Sequence, residues 1–406
     1  MAQNRFRGDA PAVAQVNTVT PANVGIGNTF SLTCNGKVIT FTATAGTVAN
    51  VTAGLVALLA ATTIAEFAEV EAADITTALT LTARTPGKPF TITSAAAGGT
   101  ATLITTATTA SSGPEDISTL ANWTTGALPV DATDSILFSG AVNAYYGLAA
   151  LAAIAPTSIL FDETFSGNIG LPDWSDGGYY EYREKFLQTL ATTVTNQSQS
   201  GRIKIDQGGT ASVTVNAFAA GSPLDANQPA FTIKGCGANS ILNAMQGSVG
   251  FGLVADTCTF ATINIGSLTN PASDVQILAG PGAALTTINQ VGGDVKAESN
   301  VTTWTMTKGT GTLRGSATLA TLNSDEGYLY WQSTGTLATL NLGNAATLDR
   351  SQRNAAATIT NSTIKAGATI LDPGHKITWT NATVLDRCGL EDVTIECGKN
   401  INVRIT

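Results

Sequence analysis

Residues 172–185 read Pro-Asp-Trp-Ser-Asp-Gly-Gly-Tyr-Tyr-Glu-Tyr-Arg-Glu-Lys, the densest run of aromatic and charged side chains in a chain poor in both. Asp173, Asp176, Glu181 and Glu184 supply carboxylates, and two carboxylates facing one another across a groove are what glycoside hydrolysis requires. Trp174, Tyr179, Tyr180 and Tyr182 supply aromatic faces that stack on sugar rings while acids accept from sugar hydroxyls. Trp, Tyr and Arg are also the usual anchors of subunit interfaces. Acids close together on one loop are common and seldom catalytic. The segment therefore reads first as a subunit interface, second as a sugar platform, then as local packing, and last as a catalytic pair. Trp174, Tyr179, Tyr180, Tyr182 and Arg183 are the interaction candidates. No catalytic residue is assigned.

Other chemistry finds little support. The one histidine, His375, sits in Asp-Pro-Gly-His-Lys, a turn that exposes it, and no GxSxG accompanies it. No Walker A sequence occurs and no GxGxxG opens a helix, so no cofactor is expected. Cys34, Cys236, Cys258, Cys388 and Cys397 lack the paired spacing of a zinc site and read as buried free thiols, so no metal is expected; Cys388 and Cys397 are the one pair near enough in sequence to test as a disulfide. A net charge of −9 argues against nucleic acid, whose phosphates need a clustered basic face. The apolar run Val51–Ile64 is too short to cross a membrane. The first residues lack the apolar core of a signal peptide, which implies synthesis in a bacterial cytoplasm without Sec export.

The elements that must position these residues are strands. Charged residues are 12% and hydrophobic ones 43%, with 41 Gly, which suits many short strands and tight turns. A unit of the form Φ-Ala/Thr-Thr-Φ recurs at Phe260, Leu285, Val301, Leu319, Leu337 and Ala356. Its spacing near 18 residues is too short for a helical repeat and fits one turn of a β-solenoid. The first and fourth positions have opposite strand parity, so a bend is expected within the unit. The long step from Phe260 to Leu285 implies a loop near Leu268–Asp274. Gly292, Gly293, Gly309, Gly311, Asn323, Gly327, Gly335, Asn341, Gly343 and Asn344 are placed at corners. Few carboxylates stand elsewhere on the repeat: Asp294, Glu298, Asp325, Glu326 and Asp349. The fold class is mainly β: a small N-terminal β-rich (α+β) domain, then a right-handed parallel β-solenoid. Residues 141–406 form the solenoid, of roughly fourteen rungs, with 172–185 as a loop between rungs and Leu390–Thr406 as a charged cap.

Residues 1–20 read as a polar arm pinned by a neighbouring subunit, 21–110 as the small attachment domain, and 111–140 as a linker and cap. Within the small domain, Asn28–Cys34 and Lys37–Ala43 alternate around an Asn35-Gly36 hairpin turn. Asn50–Ile64 shows helical periodicity with Thr47 or Asn50 as cap. Strands are expected at Glu66–Ala72, Ala78–Ala83 and Pro89–Thr93. The order GNTFSLTCNGK, TAGTVANVTAGL, EFAEV, LTLTA, PFTIT resembles a module recurrent in tailed-bacteriophage virion proteins. The whole chain resembles an uncharacterised family of planctomycete genomes and their phages. Asn122-Trp123-Thr-Thr-Gly-Ala-Leu-Pro129 resembles the start of β-helices in bacterial adhesins, where Trp and a Pro-fixed turn cover the first rung. The resemblance implies a virion protein and no particular activity. With no catalytic residue assigned, the chain reads as a non-enzymatic structural protein of the virion surface, first as capsid decoration, because a pinned arm suits a lattice partner, and second as a tail fibre or spike that binds host-surface glycan. A polysaccharide depolymerase is the enzymatic alternative. Partners implied are other virion proteins through the arm and small domain, and further copies of the chain in a homotrimer.

Overall fold

The computed structural model describes residues 2–130, 132–172, 175–176, 179–209, 211–225, 227–254, 256–396 and 402–405. The chain is mainly β and builds a parallel β-solenoid. In its most regular coil, Leu319–Ser324 forms one strand, Tyr328–Trp331 a second, and Leu337–Leu342 begins the next coil directly beneath the first. Leu319 and Leu322 both point inward while Ala320 is exposed, and pairing to the neighbouring strands skips Ala320. The bend expected inside the unit is therefore real, and it lets two residues of opposite parity share one core. Downstream the bend opens fully: Ala357–Ile364 pairs with two separate strands, Ile377–Trp379 and Thr383–Leu385.

Fourteen strands among the described residues stack on the principal face, from Ala2–Phe6 to Val403–Ile405. At about 4.8 Å per strand this is a rod roughly 60 Å long. Its inward column runs Ile136, Ile159, Val194, Val215, Leu242, Ile263, Ile288, Trp304, Leu322 and Leu340, all fully buried. Burying each such side chain contributes ~1.5–3 kcal/mol, which the polar surface of an unstacked rung cannot recover. On the principal face the 18-residue period holds between Val301 and Leu337. The step from Leu285 to Val301 is 16 residues, and the remaining coils are longer because loops leave at the corners; Ile159 to Val194 spans 35 residues and contains the 172–185 loop. The Phe260–Leu285 coil carries its extra residues at Gly266–Pro271; the loop is where it was expected but starts two residues earlier, and Ala272, Ser273 and Asp274 belong to the following strand. The last unit is shifted: Leu337 pairs with Ile359, not Ala356. Gly311, Asn323 and Asn341 lie within strands rather than at corners.

The expected arm is instead part of the solenoid. Ala2–Phe6 pairs in parallel with Asp134–Phe138, and Phe6 packs against Phe138 with ring centroids 5.7 Å apart and the rings tilted at 47°. Trp123 closes this end: it meets Phe6 edge-on at 5.4 Å and donates its indole N–H to Ile117 O at 2.8 Å. The covering role expected for Trp123 holds, with Phe6 as the surface covered. At the other end Thr394–Glu396 and Val403–Ile405 add strands to two faces, so part of the expected cap is a further coil.

The small domain is inserted between Phe6 and Asp134. Strand 16–22 lies between Leu79–Ala83 and Thr102–Thr109, with Val70–Asp74 at the edge, and a second sheet pairs Thr29–Cys34 with Lys37–Thr42 and Thr93–Ala97. The hairpin turns at Asn35 and Gly36, both at positive φ, as their sequence requires. A helix, Val48–Ala61, packs Val51 and Leu55 into the core and is capped by Thr47 Oγ1. The strand expected at Glu66 starts at Val70 after a 3-10 turn, that expected at Pro89 is displaced to Thr93–Ala97, and Thr102–Thr109 is a further strand of the small domain that was not expected.

Candidate functional site

The 172–185 segment turns toward the small domain. Ser175–Asp176 and Tyr179–Tyr180 form a two-stranded hairpin, and the chain after it enters a joint around Glu69. Arg183 donates from Nη2 to Glu69 Oε2 at 2.5 Å, from Nη1 to Glu181 Oε1 at 2.9 Å, and from Nε to Pro89 O at 2.7 Å. The phenols of Tyr179 and Tyr182 donate to the two oxygens of Glu69 at 3.1 and 3.0 Å, and Lys88 Nζ lies 2.8 Å from Oε1. Tyr182 also packs on the small domain's apolar core. The Arg183 and Glu181 side chains are each 8% exposed and that of Glu69 11%. Burial alone would raise the Glu69 carboxyl, but Lys88 and Arg183 outweigh it and hold it below its ordinary value. Burial pushes the Tyr179 and Tyr182 phenols far up, so both remain donors.

The sequence thus brings the expected residues together, but around an intramolecular joint. Tyr179, Tyr182 and Arg183 are used within the chain, and of the interaction candidates described only Tyr180 presents its ring to solvent, at 66% exposure. Trp174, with Asp173, lies outside the described residues. Glu184 caps its own turn, accepting from Lys185 N and Phe186 N. His375 is exposed at positive φ in its turn, as expected. Cys34, Cys236, Cys258 and Cys388 are free and buried, while the proposed Cys388–Cys397 pair falls on a residue outside the described set.

A second feature lies on the flank of the solenoid. Where coils 247–251, 272–279, 283–297 and 301–313 round the same corner, they leave a groove of about 680 Å³. Its floor is backbone at Gly247, Gly292, Gly293 and Gly309, and Ser248, Asp274, Gln276, Asp294 and Thr310 stand around it. Gly292 and Gly309 hold φ near +100°, and a Cβ at Gly292 would lie 2.0 Å from Ala272 O. Glycine is what allows the coils to turn this sharply and this close together. From below, the buried Gln290 amide donates to Gly293 O and Thr310 O at 3.1 and 2.9 Å and accepts from Trp304 Nε1 at 3.0 Å. A core side chain therefore fixes the groove floor.

An aromatic pair stands on the next coil, beside Thr310 at the groove's edge. Gln276, Asp294, Thr310 and Tyr328 are successive partners in one outward column, which begins above the buried Ser248. Tyr330 stands two residues on, its ring centroid 4.5 Å from that of Tyr328. The Tyr328 phenol is hydrogen-bonded to Asp349. Burial favours protonation of Asp349, but donation from Tyr328 and Ser351 holds it below its usual range. Lys296 Nζ lies 3.5 Å from Asp294. The period-two pattern Tyr328-Leu329-Tyr330-Trp331 is the sequence signal for this pair, since alternation in a strand places both tyrosines on one face. No family model matches the chain, and neither the curated proteins nor the solved structures include a match.

Proposed function

We propose that this chain is a non-enzymatic structural protein of a tailed-bacteriophage surface, a stiff solenoid that displays its lateral faces while the small domain contacts other virion proteins. The joint around Glu69 carries this reading. It ties the domain that resembles a virion module to the solenoid through buried ionic and phenolic contacts, so load or position passed to one part is passed to the other. Residues 2–6 complete the chain's own first coil, which removes a pinned arm as a reason to favour capsid decoration. The test is quantitative mass analysis of purified particles with reconstruction of their density. A copy number comparable with the major capsid protein assigns the chain to the head, a few copies assign it to the tail, and absence from particles sinks the reading. Glycan attachment is the second function the geometry favours, on the strength of the flank groove.

A further inference from the structure

We propose that the flank groove is a binding site for an extended, uncharged polysaccharide lying along the solenoid axis, with Tyr328 and Tyr330 as its stacking wall. Three observations carry this. The first is shape: the column Gln276, Asp294, Thr310, Tyr328 crosses four adjacent coils, a straight track of about 14 Å, and its floor is lowered by glycines that bring bare backbone to the surface. A linear ligand with a short repeat fits a track made of repeating coils. The second is chemistry. The amide of Gln276, the carboxylate of Asp294 and the hydroxyl of Thr310 follow one another along the track, each able to donate to or accept from sugar hydroxyls, and the track ends on two half-buried phenol rings whose faces suit the C–H side of a pyranose. The third is charge. Asp274 and Asp294 line the groove and the lysine at hand, Lys296, is paired with Asp294. A polyanion would meet net repulsion there, whereas a neutral chain would not.

The groove is also held ready rather than formed on binding. Gln290 and Trp304 fix its floor from the core, and Asp349 fixes the phenol of Tyr328. Preorganisation of this kind lowers the cost of binding a flexible polymer. The proposal deepens the display reading, by giving the displayed surface a ligand class, and its test is independent of where the protein sits on a particle.

The full chain is run in native gels containing hydroxyethyl cellulose, dextran or polygalacturonate. Retardation by at least one neutral polymer is expected, with none by polygalacturonate. Gln276→Arg and Thr310→Arg, both at outward positions, block the track, and Tyr328→Ala removes the wall; each is expected to weaken retention about tenfold or more, equivalent to about 1.4 kcal/mol. Tyr328→Phe keeps the ring and is expected to keep most of the binding, while Tyr180→Ala, at the joint, is expected to change nothing. Unchanged melting temperatures confirm that the blocking variants fold. Failure of both neutral polymers to retard the chain overturns the proposal, as does retention that survives Gln276→Arg and Tyr328→Ala. A null result with the protein still found on particles sinks the groove alone; glycan retention with the protein absent from particles sinks the phage assignment alone.

Discussion

Arg183 is the residue on which the two parts of the chain meet. A guanidinium at 8% side-chain exposure is tolerated because Glu69, Glu181, Tyr179 and Pro89 O satisfy its donors. Removing it leaves two carboxylates partly buried without their cation, so Arg183→Ala should cost about 3 kcal/mol in chemical denaturation. The joint also has a pH signature. Glu69 titrates lower in the folded protein than in the unfolded chain, so its contribution is complete above the unfolded carboxylate value of about 4.3 and is lost as pH falls through the folded value. The melting-temperature gap between the native chain and Glu69→Gln should therefore be widest near neutrality and close as the pH is lowered toward 3; a gap independent of pH would refute the linkage. Arg350 is a second buried guanidinium, 1% exposed, donating to Trp331 O, Ser333 O and Ala355 O across neighbouring turns and lying 4.5 Å from the Trp331 ring centre. Arg350→Lys should destabilise by about 2 kcal/mol, since an ammonium cannot present the same planar fork to three carbonyls. The importance of Arg183 was legible from the company it keeps in sequence. Its role was not, because the same aromatic and charged residues suit a partner subunit or the chain's own second domain, and only the tertiary fold decides which.

Among the elements, the strands carry their stability signals on both surfaces. Inward residues give the hydrophobic column, and the outward residue two positions beyond Thr gives an asparagine ladder. Asn243, Asn264 and Asn289 each donate 2.9 Å to the asparagine one coil before, starting from Asn216, and Asn341 does the same to Asn323. The Thr-Φ-Asn pattern at Thr262, Thr287, Thr321 and Thr339 writes this ladder in the sequence, but asparagine is so often a turn former that Asn323 and Asn341 were assigned to corners. Asn264 both donates and accepts, so Asn264→Leu breaks two links and should cost about 1–2 kcal/mol in chemical denaturation. Asn264→Thr should cost less, because Thr195 and Thr305 already occupy this column. Gln290→Leu tests the floor of the groove. It strands Trp304 Nε1 and two backbone carbonyls, so a loss of about 2 kcal/mol is expected, together with weaker polysaccharide retention although Gln290 touches no ligand.

At the scale of the molecule, the first coil and the inserted domain make separable contributions. The strand at residues 2–6 escaped the sequence reading for a physical reason: its inward positions are Asn4 and Phe6, so it shows no hydrophobic alternation. Asn4 is nonetheless fully buried, donating to Ala127 O at 3.0 Å and accepting from Thr124 Oγ1. The solenoid period was legible only where corners carry no loops, which is why the coils from Val301 to Leu337 announced the fold and those around Ile159 did not. The insertion begins and ends where Val13 N donates to Ser112 O at 2.7 Å, so its two ends already touch. Replacing residues 14–111 with a short Gly-Ser bridge should therefore leave the first coil in place. The shortened chain should keep its β-sheet circular dichroism and unfold within a few degrees of the native temperature, the deficit reflecting loss of the Glu69 joint. Deleting residues 1–7 instead removes Phe6 from between Trp123 and Phe138 and uncovers the end of the stack. Loss of the Phe6 side chain alone should cost about 3–5 kcal/mol, so Phe6→Ala should be more damaging than excision of the whole inserted domain. The opposite order, with a tolerant Phe6→Ala and an unfolded excision variant, would show that the small domain nucleates the solenoid and is not simply carried by it.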